Sequence, residues 1–448
     1  PKGAGFSSVI LWRMASWTLD ELYARLVNEE DARVCREIPD EACREVPKNF
    51  FLLIGSYVLT KLGDAVANPK TTLTWMMEAI GAPVALTGLL VPIRESGSLI
   101  PQLLIAAAVR RRPVRKWVWV LGSLLQAAAV LAMGVIAWFS SGIAAGLGVI
   151  ACLVVFSLAR GLCSVAAKDV LGKTIPKTRR GRVNGFSASA AGVATLGVGA
   201  ALITLGSDDG APATFLVLLA GAAVLWVAAS WLYSRIEELP GETEGGGNAF
   251  AEAVRKLALL REDTAFRNFV IARALLLCSA LSAPYYVILA RRHEAGTAGQ
   301  LGFFIIAGGL ASSVSAPFWG RAADWSSRTV MAVAALLTSG LGFLAVAVEL
   351  FAPGVAAALW FYPTVFFTLM VAHSGVRLGR KTYVVDLAAG NRRTDYVAVS
   401  NSVIGVLLLA LGGMGAVAQV FSVLFVVLVL SVLGLAGTAM SWSLPEVT

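Results

Sequence analysis

The sequence predicts an all-α polytopic membrane protein of twelve transmembrane helices, arranged as two pseudo-symmetric six-helix bundles. Three observations predict it. The 448 residues are 57% hydrophobic and only 15% charged, with a mean hydropathy of +0.74, whereas charged residues make up about a quarter of soluble chains. Apolar runs of about 20 residues, the length that crosses a bilayer, recur near 50–68, 81–108, 117–138, 143–166, 184–206, 213–234, 268–290, 298–319, 329–349, 354–375, 396–417 and 420–441. Finally, the stretch 159–199 shifted by 213 positions falls on 372–412, superimposing Lys168/Lys381, Arg179/Arg392, Ser187/Ser400, Ser189/Ser402, Gly192/Gly405 and Gly199/Gly412.

These runs divide the chain into a leader (1–49), a first bundle (50–234), a central loop (235–267), a second bundle (268–442) and a tail (443–448). Length alone suggests about three soluble domains, but the apolar runs leave no room for them. In the leader, Thr18 to Glu21 has the form of a capping box, and Leu19, Leu22, Tyr23 and Leu26 follow helical spacing. With Trp12 and Trp17 beside it, this amphipathic helix lies either on the membrane surface or against the bundle. The first strongly apolar run begins near Phe50 behind charged residues, so no signal peptide is expected.

Cys35 and Cys43 open a tandem of Cys-Arg-Glu-Ile-Pro and Cys-Arg-Glu-Val-Pro. Without CxxC spacing or a neighbouring His they read as ordinary thiols rather than metal ligands. Cys152, Cys163 and Cys278 are scattered through apolar runs, which argues against a disulfide framework.

Basic residues set the expected orientation. With a cytoplasmic N-terminus, thirty of the 37 Lys and Arg fall on inside segments, only Lys70, Arg291 and Arg292 on outside loops, and the remainder within spans. The positive-inside rule then puts both termini in the cytoplasm. The net charge of +9 is explained by this bias, so nucleic acid is not an expected partner. The central stretch Glu-Glu-Leu-Pro-Gly-Glu-Thr-Glu-Gly-Gly-Gly from Glu237 reads as a flexible, solvated connector, followed by a helix with Phe250, Val254, Leu257 and Leu260 along one face.

Charges inside spans are the candidate working groups, because each costs about 2.5–3.5 kcal/mol at the bilayer centre unless it meets a cavity or a partner. Span one holds Lys61 and Asp64 on one helical face, with Asn68 a turn further on. Span two holds Arg94 and Glu95 inside a segment bracketed by Pro92 and Pro101 and containing Ser96, Gly97 and Ser98, which predicts a kink beside a binding site. Against this stands an Arg94–Asp64 or Lys61–Glu95 ion pair that merely holds the two spans together. Arg160 of span four and His373 of span ten coincide under the repeat and are expected to face each other across its axis. His373 titrates near neutral pH and Arg160 does not, so Glu95, Asp64 and His373 are the expected proton carriers. Arg273 of span seven is expected to snorkel to the interface. Tyr285, Tyr286, Trp360 and Tyr362 line either an outer vestibule or an interfacial belt.

The six-plus-six arrangement and long central loop resemble the major facilitator superfamily. The sharpest local match is Gly-Arg-Ala-Ala-Asp-Trp-Ser-Ser-Arg over 320–328, similar to that superfamily's Gly-x-x-x-Asp-x-x-x-Arg loop. The resemblance implies that Asp324 and Arg328 take part in latching the cytoplasmic gate. The first-half copy is degenerate: Ala107 and Arg111 stand where the second half has Gly320 and Asp324, while Arg115 matches Arg328. Asp169, at the end of span four, is the candidate substitute acid. Gly185, Gly192, Gly197 and Gly199 of span five lack the Gly-Pro pair of many drug/proton antiporters of the superfamily and read as helix-packing glycines.

No nucleotide-binding Gly-x-x-x-x-Gly-Lys-Ser/Thr loop, metal-binding His-Glu-x-x-His helix or Gly-x-Ser-x-Gly nucleophile occurs, so neither an enzyme nor a self-contained ATP-driven pump is expected. The expectation is a secondary active carrier without cofactor or metal, working as a monomer among the lipids of a bacterial inner membrane. It would move a small amphipathic or anionic organic solute by alternating access, coupled to protons, with export favoured. Uptake of an organic anion, lipid translocation, and a non-transporting receptor or assembly protein remain as alternatives.

Overall fold

The computed structural model describes residues 21, 23, 26, 39–100, 105, 108–205, 212–241, 243, 256–293, 298–387 and 392–447. Among them no strand occurs, and eight helices are long and apolar enough to cross a membrane, or nine if one bent pair counts as a single span. Three other helical rods, over 46–79, 84–99 and 361–387, carry Lys61, Asp64, Arg94, Glu95 and His373, whereas Arg160 and Arg273 lie on helices that meet that test.

The first rod is α1 (Val46–Val66) followed by α2 (Thr72–Ala79). Asn68-Pro69 breaks it, and the break is held by Leu73 N–H donating to the Asn68 carbonyl (3.0 Å) and the Thr74 hydroxyl donating to the Pro69 carbonyl (2.7 Å). Thr72 to Met77 are buried beyond the break, so the rod continues to Ala79. This corrects the reading of 50–68 as the whole span: Lys70, expected on an outside loop, sits in mid-rod and is only 9% exposed. The sequence misled because Asn-Pro-Lys-Thr has the composition of a surface turn. The second rod begins with α3 (Val84–Thr87) and α4 (Leu90–Leu99). Gly81, at φ +68°, turns the chain between the first two rods, where a side chain would be strained.

The first half continues through α5 (Lys116–Phe139), α6 (Gly142–Thr174), α7 (Lys177–Leu205) and α8 (Pro212–Ser234). In the second half α9 (Thr264–Leu275) and α10 (Cys278–His293) form another broken rod, followed by α11 (Ala298–Trp325), α12 (Ser327–Phe351), α13 (Phe361–Leu387), α14 (Arg392–Leu411), α15 (Met414–Val420) and α16 (Val423–Trp442). Span ten, expected over 354–375, is α13. Its longer reach carries Arg377 and Arg380 into the rod rather than a loop. Moving Lys70, Arg377 and Arg380 into spans leaves the basic bias between the two faces intact.

Each half has a buried cluster of its own, and a third, larger cluster runs through both halves. In the first half, Trp119 stacks on Tyr233 (centroids 3.9 Å apart) and the Ser123 hydroxyl donates to the Trp226 carbonyl (3.0 Å), joining α5 to α8. In the second, Phe269 stacks on Tyr383, joining α9 to α13. Leu121, Leu147, Val217, Val224, Leu344 and Val432 are exposed along the outer surfaces, as lipid-facing positions require.

The halves meet near the ends remote from the chain termini, which we call the far face. There α7 crosses α11 at Gly199 and Gly302, where any side chain would collide with the opposing backbone or with Ile203 and Ile306. Likewise Gly88, just after α3, meets Gly415 of α15, and the Ala85 N–H donates to the Gln419 side chain (3.2 Å). Trp75 of α2 approaches Phe304 of α11, with centroids 6.0 Å apart.

Two further expectations need correction. Glu237 and Glu238 are not a free connector: the Asn49 amide donates to the Glu237 carbonyl (3.0 Å), and the Glu238 side chain is fully buried among bonds described below. Cys43 is disulfide-bonded, against the expectation of an ordinary thiol; spacing along the chain does not report Cα approach. Cys35 lies outside the described residues, as do Trp12, Trp17, Phe250, Val254 and Pro101, whereas Cys152, Cys163 and Cys278 are free thiols. From the leader, Tyr23 is buried and packs edge-on against Phe50 of α1 (5.3 Å).

Candidate functional site

Asp64 is the hub of the first half. Its two oxygens pair with Arg94 (3.2 Å) and Arg160 (2.5 Å), so one carboxylate from α1 ties α4 to α6. Arg94 also lies over the Phe156 ring, 4.9 Å from its centroid. Of the two structural pairs weighed from sequence, Arg94–Asp64 forms and Lys61–Glu95 does not. Lys61 instead donates to the Ser187 hydroxyl (2.9 Å) and the Asn184 carbonyl (3.3 Å) of α7.

The second half repeats that last interaction with a different cation. Arg273 of α9 donates to the Ser400 hydroxyl (2.5 Å) and the Asn401 side-chain oxygen (2.8 Å) of α14. Ser187 and Ser400 are repeat partners, and both are fully buried. Arg273, expected to snorkel, is therefore a buried clamp, 7% exposed. Hydropathy could not reveal this, because a cation near a helix end looks the same whether it reaches lipid headgroups or a neighbouring helix.

Arg160 and His373 do not face each other. Arg160 is engaged by Asp64, and His373 Nδ1 lies 3.1 Å from the Ser279 hydroxyl of α10, so each is held within its own half. His373 instead heads a stripe on α13, with Arg377 and Arg380 at i+4 and i+7. This stripe lies within electrostatic reach of Lys70 at the break of the first rod, and Arg377 and Arg380 also reach Glu95 of α4. Glu95 and Arg377 are exposed although both lie within rods. Charged side chains from the two halves thus lie within electrostatic reach of one another.

Two latches occupy the opposite face. In the first half Arg115 pairs with Asp169, Lys173 bridges Asp169 (3.1 Å) and Glu238 (2.9 Å), and Glu238 accepts from the backbone N–H groups of Arg115 (2.9 Å) and Lys116 (2.6 Å). In the second, Arg328 pairs with Glu446 of the tail (2.6 Å) and donates to the Leu444 carbonyl (3.0 Å), while Ser326 also donates to Glu446. Arg115 and Arg328 are repeat partners, so each half fastens the same loop with a carboxylate from beyond its last helix. Asp324 is exposed and, among the described residues, has no bond to Arg328. The turn at Ser326, between α11 and α12, separates the two. On the far face, Glu349 of α12 lies 2.7 Å from His293 Nε2 of α10 and accepts from the Tyr362 hydroxyl of α13.

Sequence reading missed Lys70, Arg377 and Arg380 because they were assigned to loops, and Glu238 and Glu446 because both followed the last apparent helix. The 213-residue offset was the available signal for the latches, since it aligns Arg115 with Arg328. Among the described residues no cluster of His, Cys, Asp and Glu is arranged to hold a metal ion.

This architecture, two repeat-related helical halves with charged groups gathered between them, defines a polytopic membrane transporter. The chain belongs to the Major Facilitator Superfamily, whose family model matches residues 53–406. No curated protein matches the sequence significantly. Among solved structures it is similar to a POT family transporter in complex with a thioalcohol-conjugated peptide (11% identity, 90% of this chain and 97% of that one, TM-score 0.67). It is also similar to the xylose transporter XylE from E. coli in an inward open conformation (12% identity, 90% and 97%, TM-score 0.63). The nucleoside transporter NupG is a third (12% identity, 87% and 99%, TM-score 0.64). At such identities the likeness establishes the fold alone.

Proposed function

We propose that this chain is a secondary active transporter that carries a small organic solute across the cell membrane by alternating access, coupled to protons through Glu95. The observation that carries the reading is the exposure of Glu95 in mid-rod, where charges of both halves gather below a far face closed by glycine crossings. Rocking of the halves about such a layer exposes the centre to one side at a time. Asp64, already neutralised by two arginines, serves to fix α4 and α6, and Glu95 is the carboxylate left to exchange a proton. The latches at Asp169–Arg115 and Arg328–Glu446 hold each half together as a rigid body during that motion.

Proteoliposome counterflow tests this, using a panel of carboxylates, phosphate esters, pentoses and amphipathic amines. Wild type is expected to exchange at least one solute and to accumulate it under a proton gradient. Glu95→Gln is expected to retain exchange and lose gradient-driven accumulation. Gradient-driven accumulation in Glu95→Gln removes Glu95 from coupling, and absence of exchange with every solute removes the transport reading.

A further inference from the structure

The charges at the centre do not balance. Asp64 is consumed by Arg94 and Arg160, and Lys61 and Arg273 are spent on serine clamps. That leaves Lys70, Arg377 and Arg380 with one carboxylate, Glu95, in electrostatic reach. Among the described residues no hydrogen bond or ion pair engages the side chains of these three cations. Even with Glu95 ionised, the group carries an excess of two positive charges inside membrane-spanning rods, where each unbalanced charge is costly.

Because the first rod breaks at Asn68-Pro69, α2 begins beside Lys70, and its positive helix end lies at the break together with the negative end of α1. The Thr72 hydroxyl, on a residue fully buried at that turn, has no hydrogen-bond partner among the described residues. Broken transmembrane helices direct such ends at anionic groups of a solute. Arg377 and Arg380, at i and i+3 on α13, present two planar forks on neighbouring positions of one helix face, and a guanidinium matches the paired oxygens of a carboxylate or phosphate.

Resting on the transport reading above, we propose that Lys70, Arg377 and Arg380 form a subsite for the carboxylate or phosphate group of the transported solute, with Glu95 as its resident counter-charge. The subsite joins the halves: Lys70 and Glu95 belong to the first, Arg377 and Arg380 to the second. An anion bound there draws the halves together across the interior. When Glu95 takes up a proton the excess rises from two charges to three, so protonation favours anion binding.

The test is a thermal-shift titration of the purified full chain in detergent with succinate, inorganic phosphate, xylose and choline, against matched chloride. Wild type is expected to be stabilised by succinate or phosphate, and the stronger of the two assigns the group. Arg377→Gln and Arg380→Gln are each expected to weaken that binding by at least about 10-fold, as loss of a charge-assisted hydrogen bond implies. Lys70→Arg, which keeps the charge, is expected to retain more binding than Lys70→Gln, so a folding defect at that position is separable from loss of the ligand contact. Lys48→Gln, at an exposed end of α1, serves as a control. Stabilisation by xylose or choline alone overturns the subsite, as does an anion response that survives in both arginine variants. Counterflow separates the two readings: exchange confined to neutral or cationic solutes overturns the subsite and leaves transport standing. Anion stabilisation lost in the arginine variants without exchange of any solute overturns transport and leaves the subsite standing.

Discussion

Asp64 shows how one residue decides between neighbouring charges. With two arginines on it, Asp64→Asn removes the carboxylate that binds both Arg94 and Arg160. Breaking a buried ion pair costs about 3–5 kcal/mol, and because the Asp64 side chain is 21% exposed the lower end is expected. Thermal unfolding in detergent checks it, and a loss below about 1 kcal/mol sinks the assignment of Asp64 as the structural hub. The charges in Lys61, Asp64, Arg94, Glu95 and Arg160 were legible in sequence because a charge inside an apolar run stands out. Their pairings were not: Lys61 and Asp64 lie one turn apart on α1, yet Lys61 reaches α7 and Asp64 reaches α4 and α6, and only helix rotation and packing distance determine that.

At the scale of elements, broken helices and glycine crossings set what each rod does. The break at Asn68-Pro69 was hidden because a helix interruption and a surface loop share the same residues; burial of the segment beyond it distinguishes them. Of the four α7 glycines expected at packing positions, Gly199 meets a backbone and Gly192 approaches Ser313, whereas Gly185 and Gly197 have no neighbour close enough to be displaced. Gly199→Val is therefore expected to wedge α7 from α11 and open the far face, and Gly197→Val to leave it closed. Spin-label distances between the far-face ends of α7 and α11 read the difference, and equal distances in the two variants exclude the crossing as a seal. Glu238→Ala removes the acceptor for two N–H groups and Lys173. An unsatisfied buried donor costs about 1–3 kcal/mol, so a measurable fall in melting temperature is expected, larger than that of Glu237→Ala.

For the whole molecule, the unequal distribution of Lys and Arg between the faces predicts that the latches lie in the cytoplasm. A fluorescent protein fused after Thr448 that folds only in the cytoplasm should then fluoresce, and a reporter active only outside should be silent. The reverse pattern inverts every assignment of inside and outside made from the basic residues. By itself the sequence determined that this is a helical membrane protein in two related halves and that charges lie within its spans. These are properties of composition, periodicity and repetition along one dimension. The tertiary structure alone decided that Asp64 is already spent on two arginines, that His373 turns to Ser279 rather than to Arg160, and that Lys70 lies within electrostatic reach of Arg377 and Arg380. The energy of a buried charge depends on which partners packing brings within a few ångströms, and that distance is not written in the spacing along the chain.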